Sequence, residues 1–148
     1  MTRIRAWFPT AARILLGLVF FVFGLNGFLQ FLPAPPHPGP AGAFLGALAA
    51  TGYMFPLIKG TEVLAGLLLL SNRAVPLALV LLAPIVVNIV AFHAILEGSG
   101  LFIPLVIVAL GGSLAFVHRA AYAPLFRRGA ARQREPVRRA VVTTPRAI

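Results

Sequence analysis

The chain has 148 residues, is 59% hydrophobic and only 11% charged, and carries a formal net charge of +10. That composition lacks the polar surface a soluble domain of this length needs, so the chain reads as a membrane protein. Cysteine is absent, which excludes disulfides, thiolate metal sites, Fe–S ligation and a catalytic cysteine, and the arginines gather at the ends of apolar runs, so the charge reads as membrane topology and not nucleic-acid binding.

Four apolar runs, at about residues 14–32, 53–70, 74–96 and 101–117, approach or span a hydrocarbon core of roughly 30 Å. The first follows Arg3, Arg5 and Arg13. At about nineteen residues it is too long for a signal-peptide core, and it runs into prolines without a small-residue cleavage site, so it reads as a span. Gly17, Gly24 and Gly27 within it point to close helix packing, and Asn26 and Gln30 share a face near its far end. The loop beyond begins with a proline-rich extended stretch, 33–40, and continues as a short helix over 41–50 with Phe44, Leu45 and Leu48 on one face. This helix is too short to span. A packed loop helix at the outer interface is its simpler reading, and a substrate lid the alternative.

The second run holds Lys59 and Glu62, and the third holds Pro84, Asn88 and His93. Pro84 cannot donate to Val80, so a kink with a freed carbonyl is expected there. The fourth run starts near Pro104, carries only Ser113 as an interior polar residue, and reads as a packing helix. From residue 126 to 148 the chain is rich in arginine and alanine, which reads as a disordered cytoplasmic tail near anionic headgroups, separate from a membrane domain over 1–125. Arg73 and Arg119 fall at the same ends of their runs as Arg13, while the loops at 33–52 and 97–100 contain no Lys or Arg. Both termini are therefore expected in the cytoplasm, with His37 and Ser99 outside, in a multi-pass inner-membrane protein.

An ionisable side chain inside an apolar run costs about 2.5–3.5 kcal/mol on insertion scales, which makes Glu62 the residue most in need of a reason. Lys59 lies three residues before it, on the same helical face and within pairing reach. At about 1.5 Å per residue, Asn26, Lys59 and Asn88 all lie about 20–23 Å from the arginine-bearing ends of their helices, with Glu62 a turn lower. Asn26, Gln30, Lys59, Glu62, Asn88 and His93 are thus candidate ligand-binding residues around a small cavity opening outward. Interhelical hydrogen bonding is the simpler account of the two asparagines, snorkelling is an alternative for Lys59, and an interface position is the simpler account of His93, which has no second metal ligand at suitable spacing. No phosphate loop, His-x-x-x-His pair or Gly-x-Ser-x-Gly elbow occurs, and no catalytic residue is assigned.

The segment Ala12-Arg13-Ile14-Leu15-Leu16-Gly17-Leu18, the following Phe23-Gly24-Leu25-Asn26-Gly27 and, above all, Lys59-Gly60-Thr61-Glu62-Val63-Leu64-Ala65-Gly66 with its leucine run resemble the DoxX family of small four-span bacterial membrane proteins. Asn88 to His93 is similar to a DoxX-like subgroup. The resemblance covers about residues 11–125 and implies an all-α, integral membrane four-helix bundle with a short interfacial helix in the first external loop. Some members are associated with quinone-linked sulfur oxidation or membrane oxidoreductase assemblies, so the resemblance implies a non-catalytic subunit. Such a subunit would bind a quinone-like ligand, with no covalent cofactor, or support an oxidoreductase partner. A lipid or membrane-protein carrier without redox role is the alternative.

Overall fold

The computed structural model describes residues 2–33 and 36–126, so the basic tail beyond Phe126 lies outside the described residues. Among those residues the chain is all-helical: α1 (Thr2–Leu29), α2 (Gly39–Ala50), α3 (Met54–Leu70), α4 (Val75–Ala91) continued by a π-helical segment (Phe92–Glu97), α5 (Phe102–Val117) and α6 (Arg119–Phe126). α1 starts well before the expected Ile14, because the apolar residues from Trp7 onward extend the same helix through Pro9. α6, which the sequence reading left out, turns from α5 by 75°.

Two helical stretches, Trp7–Leu29 and Val75–Glu97, are each long and apolar enough to cross a membrane. Up to four spans result if α2 with α3, bent by 92°, and α5 with α6 each count as one. Only 28% and 17% of the two long spans is buried within the protein, so most of their apolar side chains face outward, as lipid solvent requires. The chain is a membrane protein on this ground.

The core is a narrow seam. Ala12, Leu16 and Phe20 of α1 recur every fourth residue and meet Ala65 and Leu69 of α3, Val75, Ala78 and Leu82 of α4, and Ile107 and Leu114 of α5. α1 and α3 run antiparallel in the closest contact of the fold, since from Gly17 to Gly27 the neighbours on α3 step back from Leu70 to Lys59. Glycine is required where the backbones nearly touch: a Cβ on Gly66 would lie 2.6 Å from the Phe21 nitrogen. Small residues at such a seam are how membrane helices gain contact without a hydrophobic driving force.

One end of the bundle is fastened by polar bonds. The Arg13 guanidinium donates to the last carbonyls of α3, those of Leu69 and Leu70, the latter at 3.1 Å. A cation at a helix C-terminus satisfies orphan carbonyls and opposes the helix dipole. α3 ends in a Schellman turn, with Arg73 N–H bonded to the Leu68 carbonyl at 2.9 Å, Asn72 N–H to that of Leu69 at 3.1 Å, and Asn72 left-handed at φ 56°. The Tyr122 hydroxyl of α6 donates to the Pro76 carbonyl at 3.1 Å, holding α6 to the start of α4 at this same end.

Candidate functional site

At the opposite end, α2, α3 and α4 enclose a pocket of about 560 Å³. Its walls are apolar apart from a few groups on the flanks of α3 and α4: Lys59, Thr61, Glu62 and Asn88. Lys59 Nζ donates to the Glu62 carboxylate at 2.8 Å, the i,i+3 arrangement that their spacing allows. Glu62 is 4% exposed, the one charged residue in the buried core among the described residues. The pair is set by α1, because the lysine stem lies across Gly27 and the Glu62 Cβ against Gly24, where a side chain on α1 would collide with both. The Lys59 ammonium also sits 5.8 Å from the centre of the Phe55 ring.

An ammonium has three donors, and Glu62 accepts one of them. The others are available to an acceptor in the pocket, while the ion pair as a whole is neutral, an arrangement that favours a neutral carbonyl over an anion. Asn88 lines the same pocket from α4.

Asn26, Gln30 and His93 are not brought to the pair. Asn26 falls in the last turn of α1, where its side chain accepts from Leu32 N–H at 2.6 Å and donates to the Leu32 carbonyl at 3.3 Å. Gln30 closes the helix in left-handed conformation at φ 51°, its N–H on the Asn26 carbonyl at 2.9 Å. His93 Nδ1 donates to the Ile89 carbonyl of its own helix at 2.8 Å. Equal depth along separate helices did not bring these side chains together, because depth says nothing of which way each helix face points. Nor does the pocket open outward as expected. Its exposed rim residues, Leu57, Val80, Pro84 and Asn88, lie on the sides of α3 and α4, so it opens sideways, and α2 covers its end.

Compared with protein-family models, curated proteins and solved structures, the chain matches none. The pocket's chemistry therefore rests on its own residues. Those that the sequence reading missed are His37, just before α2, and Phe92 and Glu97 of the π-helical segment. His37 Nδ1 donates to both Glu97 carboxylate oxygens, at 2.9 and 3.1 Å, and the Phe44 and Phe92 rings meet with centroids 6.0 Å apart. A signal existed: Glu97 is the single acid in two external loops devoid of Lys and Arg, and His37 lies in the other loop.

Proposed function

We propose that the chain is a DoxX-like four-span bundle of the bacterial inner membrane, with both termini in the cytoplasm, that holds a quinone-like ligand and serves as the non-catalytic membrane subunit of an oxidoreductase. The observation carrying this reading is the Lys59–Glu62 pair, bonded at 2.8 Å in the wall of an otherwise apolar pocket. A pocket of about 560 Å³ falls in the size range of small-molecule sites, and its sideways mouth suits a ligand that arrives through the bilayer. The donor set fits a quinone head: Lys59 would donate to one of its carbonyl oxygens, and Phe55, Ile85 and Ile89 would flank its ring. Such a ligand supplies reversible two-electron chemistry when bound. The chain's own part is to desolvate the head, orient it on Lys59, and keep Lys59 in place through Glu62 and Gly27.

The orientation is supported by the grouping of Arg13, Arg73 and Arg119 at the end where Arg13 bonds α3 and Tyr122 bonds α4. Native mass spectrometry of the protein released from membranes tests the function. A retained quinone that is lost in the Lys59→Met, Glu62→Leu variant supports it. Retention of phospholipid alone by parent and variant alike favours the carrier reading and refutes the quinone site.

A further inference from the structure

The walls of the pocket are not equally fixed. α3 and α4 belong to the core seam, whereas of α2 only Ala41 is buried. α2 is tied at its two ends in different ways. At its C-terminal end the Thr51 hydroxyl donates to the Leu48 carbonyl at 2.7 Å and accepts from Met54 N–H at 3.0 Å, which makes the 92° corner with α3 a firm joint. Gly52, at φ +73°, supplies the left-handed residue that this corner turns on.

Its N-terminal end is held from across the pocket. Gly39, at φ +67°, starts the helix, and just before it His37 reaches Glu97 on the π-helical segment that ends the third apolar run. The wider π turn carries both attachment points, Phe92 against Phe44 and His37, and Glu97 against the imidazole. Between joint and attachment, Phe44, Leu45 and Leu48 form the roof of the pocket over Lys59 and Glu62. The attachment is partly exposed, with side-chain exposures of 24% and 23%, and a single hydrogen-bonded contact in such a setting is weak enough to open.

We infer that α2 is a latched roof: the His37–Glu97 pair closes it, and its release swings α2 about the Thr51–Gly52 corner and opens the Lys59–Glu62 pair to water at that end of the bundle. The sideways mouth admits a ligand from the bilayer, and the roof decides whether the polar head meets water. This regulation rests on the pocket being a ligand site for its purpose, although the motion itself is measurable without any ligand.

The chain has no cysteine, so a single Thr61→Cys change puts one thiol in the pocket wall. Its rate of reaction with a charged, water-soluble methanethiosulfonate is measured in nanodiscs, where both faces meet the reagent and lipid blocks the sideways mouth. Adding Glu97→Ala is expected to raise the rate about fivefold, the factor that the net worth of one hydrogen bond commands. Exchanging the partners, His37→Glu with Glu97→His, is expected to bring it back toward the parental value. Should Glu97→Ala not fold, Glu97→Gln, which keeps an acceptor but no charge, is read in the same way with a smaller acceleration. An unchanged rate in the folded latch variant, or an exchanged pair that reacts as fast as the broken one, overturns the latch. Mass spectrometry of the parent is the separate readout of the site: a parent that retains no quinone sinks the ligand reading and leaves the thiol result to stand or fall alone.

Discussion

Replacing Gly66 by alanine adds one methyl group where it would lie 2.6 Å from the Phe21 nitrogen and 2.9 Å from the Phe21 Cα. That is about 0.8 Å short of the 3.4 Å at which ordinary contact begins, and the obstacle is backbone, which cannot rotate aside. α1 and α3 must separate. Overpacking of this kind costs about 1–3 kcal/mol, offset by up to about 1 kcal/mol of helix propensity that alanine gains over glycine, for a net loss of about 1–2 kcal/mol. Gly60, on the same helix, is the internal control: a Cβ there meets nothing within 4 Å, so Gly60→Ala should stabilise by about 0.5–1 kcal/mol. Thermal unfolding in one detergent should therefore separate the two variants by about 5–10 °C, with the parent between them. If Gly66→Ala unfolds at or above the temperature of Gly60→Ala, the close α1–α3 approach is wrong, and with it the placing of Lys59 and Glu62 by Gly27 and Gly24.

Lys59→Met alone leaves the Glu62 carboxylate buried without its partner and should cost about 3–5 kcal/mol, whereas Lys59→Met with Glu62→Leu should cost less than about 1 kcal/mol; equal instability of the two in an SDS titration would show that the pair is structural glue. Ala74, left-handed at φ 48° in the turn before α4, should gain about 0.5–1 kcal/mol on change to glycine, read as a higher unfolding midpoint. Gln30→Gly, for the same reason, should stabilise α1 and leave any retained ligand in place, and loss of ligand would restore Gln30 to the site. Cysteines at Pro38 or Ser99 should react with an impermeant thiol reagent outside intact cells and one at Gly129 should not, the reverse pattern sinking the orientation.

The helical architecture was legible because apolar runs of span length have few alternatives, and three of the four runs match helix boundaries to within a few residues. The inner face of α2 was legible too, from the spacing of Phe44, Leu45 and Leu48, though not the pocket it covers. What could not be read was azimuth. Lys59 and Glu62 share a helix, so their spacing alone brings them together, but Asn26 and His93 sit on other helices and found partners in their own backbones. The π turn at Phe92 was hidden for a related reason: it changes the facing of every residue after it without altering hydropathy. α6 was missed because Arg119 reads as the end of a span, when the helix bends there and continues.

The helices of the bundle are unequal in length. α3 has 17 residues and α5 has 16, about 24–26 Å of helix, against about 34 Å for each 23-residue long span. A hydrocarbon core of roughly 30 Å is too thick for one pair and too thin for the other. On the four-span reading proposed above, lipid beside α3 thins, or α2, folded over at the corner, takes up the missing height, while the long helices tilt to shed their excess. The pocket mouth lies between α3, one of the two short helices, and α4. On that reading membrane thickness sets how deep the Lys59–Glu62 pair sits below the headgroups, and a thicker bilayer presses on the same corner that carries the roof.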